Sequence, residues 1–114
     1  MSWELIVKET FSCAHFLENY KGKCEHMHGH TFRIEVHFDV KELDKAGISI
    51  DFTELKTYVK SILPDHKVLN KVFDFSPSAE NLSRYFYQTI KEKYNVAKVI
   101  IWESENAGSV YSED

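Results

Sequence analysis

Between Thr31 and Val40 the chain alternates without a break: Phe32, Ile34, Val36, Phe38 and Val40 share one parity, and Thr31, Arg33, Glu35, His37 and Asp39 the other. A period of two over ten residues is the mark of a half-buried β-strand, so the chain must build a sheet with one covered face. Carried back two steps, the apolar parity falls on His30 and His28, whose imidazoles then point the same way about one strand repeat apart, with Gly29 between them adding no side chain. Such a pair can chelate one ion. A third imidazole, His15, ends another run whose odd positions are mostly apolar: Trp3, Leu5, Val7, Phe11 and Cys13, with Glu9 as the exception. Three neutral imidazoles suit zinc, and a fourth position open to water or substrate separates a catalytic zinc site from a closed structural one. Two plainer readings stand beside this one. His15 alone could be a hydrogen-bonded core residue, and a four-ligand structural centre could recruit Cys24. Only Cys13 and Cys24 exist, however, without a C-x2-C pair, which argues against a finger or ribbon.

The other elements follow from local signals. Residues 3–15 read as a first strand pairing with the second over 28–40, and residues 16–27 as an irregular loop. Asp51 is a helix N-cap, with Glu54 three residues on to reach back and Ile50 stapled to Leu55. Phe52, Leu55, Val59 and Ile62 recur at helical spacing up to Pro64, which ends the helix. A second helix is expected from about Ser76-Pro77-Ser78 to Tyr94, with Leu82, Tyr85, Phe86, Thr89, Ile90 and Tyr94 inward. Ala97–Ser104 reads as a third strand and Gly108–Ser112 as a fourth. The order is ββααββ: an α+β fold with a four-stranded antiparallel sheet and two helices on one face, forming one domain over residues 1–114.

At 114 residues the chain can build a modest core but is small for a deep pocket of its own, so a pocket shared between subunits is the expectation. The net charge of −4 and the absence of a Lys/Arg cluster argue against a nucleic-acid partner. No cationic start followed by an apolar run opens the chain, and nowhere do about eighteen apolar residues run together, so a cytoplasmic protein with no membrane partner is expected. In such a reducing compartment Cys24, close to histidines, reads as a reactive thiol rather than half of a disulfide.

Asp65-His66 falls in the loop past the first helix, where scaffolds carry sites. With a thiol they are the parts of a proton relay, in which the His takes the proton and the Asp orients the His. Glu103 closes a strand whose same-parity predecessors are Ala97, Val99 and Ile101. A carboxylate there either has a partner or turns to solvent at the strand end.

Taken together, Cys24-x3-His28-Gly29-His30, the upstream His15, Ile50-Asp51-Phe52-x2-Leu55-Lys56, Asp65-His66-x2-Leu69-Asn70, Pro77-Ser78-x-Glu80-Asn81-Leu82, and Glu103-Ser104 leading to Ala107-Gly108 and Tyr111 resemble the 6-pyruvoyltetrahydropterin synthase family, collinearly over nearly the whole chain. Within that family they look most like the bacterial and archaeal 6-carboxytetrahydropterin synthase branch of queuosine biosynthesis. The resemblance implies the tunnel fold, with subunits joined into barrels as trimers or hexamers and active sites between subunits. It implies zinc on His15, His28 and His30, Cys24 as catalytic thiol with Asp65 and His66 as its relay, and Glu103 as anchor of the pterin ring. The implied reaction converts 7,8-dihydroneopterin triphosphate to 6-carboxy-5,6,7,8-tetrahydropterin with release of acetaldehyde and triphosphate. Lys21, Lys23, Arg33 and Lys67 are the candidates for meeting the triphosphate. Glu25-His26 replaces a stretch that is often Gly-Arg-like in the carboxy branch, which keeps a hydroxymethyl-pterin-forming branch as an alternative; a pyruvoyl-type synthase is the other alternative on the same scaffold. A non-catalytic zinc-stabilised oligomeric binder is the alternative of a different class.

Overall fold

A computed structural model of the chain describes residues 2–17 and 26–113. Strands β1 (Trp3–His15) and β2 (His28–Val40) pair antiparallel along their whole length, from Trp3 opposite Val40 to His15 opposite His28. Helix α1 (Phe52–Ile62) starts where Asp51 accepts the Thr53 N–H at 2.8 Å and stops at Leu63, before Pro64. Glu54 does not reach back to complete a capping box; its carboxylate takes the Tyr94 hydroxyl at 2.7 Å instead. A two-residue strand β3 (Lys67–Val68) and one turn of helix α2 (Leu69–Val72) lead to α3 (Ala79–Lys91), capped by the Ser78 hydroxyl on the Asn81 N–H. Strands β4 (Val96–Ser104) and β5 (Ala107–Tyr111) complete the chain.

The sheet runs β3-β1-β2-β4-β5, and it is five-stranded and mixed rather than the expected four antiparallel strands. The difference is β3, which lies parallel to β1 through Cys13–Lys67 and Ala14–Val68. Two residues hold no periodicity, so neither this strand nor the one-turn helix after it leaves a sequence pattern.

One face of the sheet carries the core. Phe32, Ile34, Val36 and Phe38 from β2 are fully buried with Val7 and Phe11 of β1, under Leu55 and Val59 of α1 and Leu82, Phe86 and Ile90 of α3. Two aromatic residues expected inside are not. Phe52 is half exposed at the start of α1, and Tyr85 leaves the core to pack its ring on Phe73 and Phe75, 4.7 and 5.7 Å away between centroids. Tyr87, outside the expected set, is buried against Tyr111 because α3 lies across both β4 and β5.

The opposite face is not simply a solvated one. His37 is buried there with one ring nitrogen 2.8 Å from Glu4 and the other 2.7 Å from Glu35. Glu35 also accepts from the Trp102 indole at 3.4 Å, and Lys8 stands 3.8 Å away. Burial works against the Glu35 charge, but the hydrogen bonds from His37 and Trp102 outweigh it and hold the carboxyl below its usual range.

β5 crosses β4 tightly at Gly108, where an added Cβ would come within 2.8 Å of the Ile101 carbonyl oxygen and 2.9 Å of the Trp102 ring. The first of these is backbone and cannot swing aside. Gly108→Ala is therefore expected to destabilise the fold by about 1–3 kcal/mol, read as a lower midpoint in urea unfolding with an unchanged slope.

Candidate metal centre and surrounding site

The β1–β2 ladder assembles the histidines. Its register sets His15 directly across from His28 and Cys13 across from His30, so all three imidazoles project from the core face at one end of the sheet. One ring nitrogen from each lies within 4.8 Å of those from the other two. The remaining ring nitrogens are tied to backbone carbonyls: Nδ1 of His15 to Pro77 at 3.0 Å, Nδ1 of His28 to His26 at 2.9 Å, and Nε2 of His30 to Glu103. If each tied nitrogen carries its ring's proton, Nε2 of His15, Nε2 of His28 and Nδ1 of His30 are left as lone pairs, a carbonyl-oriented arrangement typical of metal-binding imidazoles.

Burial holds His15 toward the neutral form, outweighing the Pro77 hydrogen bond, and the neighbouring His28 and His30 push the same way. Its Nε2 is buried with no hydrogen-bond partner among the described residues. An orphaned buried acceptor costs about 1–3 kcal/mol, and a metal ion bound at the convergence of the three rings would satisfy it. The donor set therefore fits a divalent transition metal. Cys13 does not join it: burial, and then the nearby Asp65 charge, push its thiol up to about 11, leaving a neutral, apolar neighbour.

Glu103 comes to the same end of the sheet on β4. The β4–β5 register slips between Trp102 and Ser104, so that Glu103 is the extra residue of a bulge. Bulges re-aim side chains. Its carbonyl holds His30, and its partly buried carboxylate is close enough to act on the charge of His15.

Asp65 and His66 sit on the outer edge of β1, on the side away from β2. Asp65 accepts the Ser12 N–H at 2.8 Å, the His66 N–H donates to the Ser12 carbonyl at 2.6 Å, and His66 Nδ1 is 3.1 Å from the Asp65 carboxylate. The hydrogen bond from the Ser12 N–H, with added help from His66, keeps the Asp65 carboxyl below its usual range against the opposing effect of desolvation. His66 holds a left-handed backbone, φ 59°, and both side chains are largely exposed. Asp65 and His66 are thus held together as a pair at this edge. Cys24, together with Lys21, Lys23 and Glu25, lies outside the described residues. Arg33 projects to the face opposite the three histidines, as its place in the alternation requires.

A family model for 6-pyruvoyl tetrahydropterin synthase matches residues 4–114. The chain belongs to the 6-pyruvoyl tetrahydropterin synthase family. Its fold agrees: the structure of 6-pyruvoyl tetrahydropterin synthase from Caenorhabditis elegans superposes with a TM-score of 0.86 at 25% identity, covering 100% of this chain and 97% of that one. Among curated relatives, a putative 6-carboxy-5,6,7,8-tetrahydropterin synthase of Archaeoglobus fulgidus is 33% identical over 93% of this chain and 94% of its own. The 6-carboxy-5,6,7,8-tetrahydropterin synthase of Haemophilus influenzae is 28% identical over 95% and 98%. A dihydroneopterin monophosphate aldolase of Pyrococcus furiosus is 30% identical over 95% and 96%.

Two supports of the histidine end in this pterin synthase family member have no chemical signature in the sequence. The Pro77 carbonyl that orients His15 is a backbone group, and nothing in a sequence aims it. Asn70 clamps the residue after His15, accepting the Phe16 N–H at 3.0 Å and donating to the Phe16 carbonyl at 2.9 Å, so that a side chain continues the ladder where β3 ends. It is legible as part of the Leu69-Asn70 motif but not as a clamp.

Proposed function

We propose that this chain is a zinc enzyme that converts 7,8-dihydroneopterin triphosphate to 6-carboxy-5,6,7,8-tetrahydropterin, releasing acetaldehyde and triphosphate, in the route to queuosine. What supports this most is the buried, unpartnered Nε2 of His15 beside the converging rings of His28 and His30, in a chain whose relatives include synthases named for that product. A zinc ion there would act as a Lewis acid toward the substrate's side-chain oxygens and make the adjacent carbon more acidic. In this reading Cys24 moves protons between side chain and ring, and His66, oriented by Asp65, takes and returns the thiol proton. Glu103 receives the amino and ring N–H edge of the pterin in two parallel charge-assisted hydrogen bonds, which fixes the ring so that its side chain meets the metal.

His66 is largely exposed on the outer edge of β1, and a copy of the chain docked there would bury it. That agrees with residues 1–114 acting as one domain in a trimer or hexamer with sites between subunits. Among the described residues no helix is long and apolar enough to cross a membrane; we take the enzyme to work in the cytoplasm.

The test is incubation of zinc-loaded protein with 7,8-dihydroneopterin triphosphate and mass analysis of the products. The carboxypterin and acetaldehyde are expected. A second reading, formation of a hydroxymethyl pterin, is favoured by the similarity to the Pyrococcus furiosus aldolase together with Glu25, and its product has a different mass. Cys24→Ala and His66→Ala should each remove most turnover while zinc content stays near that of the parent. Loss of zinc from Cys24→Ala would make the thiol a ligand and the centre a closed, structural one.

A further inference from the structure

On the sheet face opposite the histidines, at the same end, Thr10, Thr31, Arg33, Trp102, Ser104 and Glu105 line a cavity of about 360 Å³. Arg33 is the unusual member. Its Nε is buried without a hydrogen-bond partner, no carboxylate pairs with it among the described residues, and its guanidinium lies over the Trp102 ring at 5.5 Å. The nearest acidic group on its own strand, Glu35, is already engaged by His37, Trp102 and Lys8. Glu105, the one carboxylate lining the cavity, is exposed. A planar fork of donors backed by an indole, with the hydroxyl of Thr10 and that of Thr31 beside it, is a set of donors lacking an anion. Thr31 shares its hydroxyl with Ser12 at 3.1 Å, whichever of the two donates, and the Ser104 hydroxyl donates to Asn106 at 3.2 Å.

We propose that this cavity is a second ligand site, for an oxyanion of the phosphate class, with Arg33 as its principal contact. It stands on the other face of the sheet from the three histidine rings, and Arg33, one of the four residues considered above for the substrate triphosphate, is assigned to this cavity instead. The ligand could be a free inorganic phosphate or the phosphate tail of an organic ester, since the cavity chemistry is the same for both.

Titration calorimetry on the metal-loaded full chain, with inorganic triphosphate and separately with adenosine triphosphate, tests this and distinguishes the sources. Binding of inorganic triphosphate alone identifies a free anion, and binding of both identifies a tail. Arg33→Gln is expected to weaken the interaction at least about tenfold, and Arg33→Lys, which keeps the charge without the fork, by less. The thermal midpoint of Arg33→Gln without anion should lie close to that of the parent, because no ion pair is lost and the guanidinium contact with the Trp102 ring is a weak one. If Arg33→Gln fails to fold, Arg33→Lys and Thr10→Val carry the comparison, and unchanged affinity in both overturns the proposal. So does the absence of any anion binding to the parent, or equal binding by Arg33→Gln.

Discussion

Protein carrying His28→Ala is expected to leave purification essentially without metal, where the parent chain is expected to carry about one zinc. His28 is the informative ligand to remove because it is only partly buried at the strand end, so its loss leaves the core intact, whereas His15 is 1% exposed and packs on Phe32. Removing a direct ligand should weaken the metal by more than the roughly 10–100-fold that loss of an outer hydrogen bond costs. The unfolding temperature reports the same event independently of activity: a bound ion at a thousandfold excess over its dissociation constant stabilises by about 4 kcal/mol. A chelator should therefore lower the midpoint of the parent and leave that of His28→Ala where it was. Full zinc occupancy in His28→Ala would sink the assignment of the three ligands.

Glu103→Gln is the second large effect. The amide keeps the shape of the carboxylate but turns one acceptor into a donor that faces another donor on the pterin edge. The expected loss of pterin affinity is about 2–4 kcal/mol, measured by calorimetry, with zinc content and assembly retained. The backbone carbonyl that holds His30 is untouched by the change, so the metal centre serves as the internal control. Equal affinity in the two proteins would make Glu103 a strand-end surface residue.

The parts of this site that were legible in the sequence are those governed by alternation. Phe32 to Val40 dictated which face is buried, and the same parity carried back through His30 and His28 to set two imidazoles on it; His15 followed because its own strand obeys the rule from Val7 to Cys13, Glu9 apart. What alternation could not carry was lost. β3 is too short to have a period, and Glu103 owes its setting to a register slip that no residue type announces. Tyr85 satisfied the helical spacing but went to Phe73 and Phe75, because an aromatic side cluster competed with the core for it. The polar parity of β2 read as solvent-facing, yet His37 is buried there between Glu35 of its own strand and Glu4 of β1, and the second of these pairings crosses strands, which spacing within one strand does not reveal.

The direct opposition of His15 and His28 has one further consequence. Residues 16–27 leave the ladder and rejoin it on facing positions, so the two ends of that connection are held at a single cross-strand spacing whatever its length. Doubling the length of such a connection costs only about 0.6 kcal/mol in closure entropy. The imidazole triad is thus insulated from insertions and deletions in the stretch that bears Cys24 and Glu25, and the distance between thiol and histidines along the chain is free to drift. A scaffold of this kind lets the interior of the connection change while Phe16, clamped by Asn70, and the His26 carbonyl that ties His28 keep the three rings in place, so the proposed thiol and the proposed metal ligands can be inherited separately.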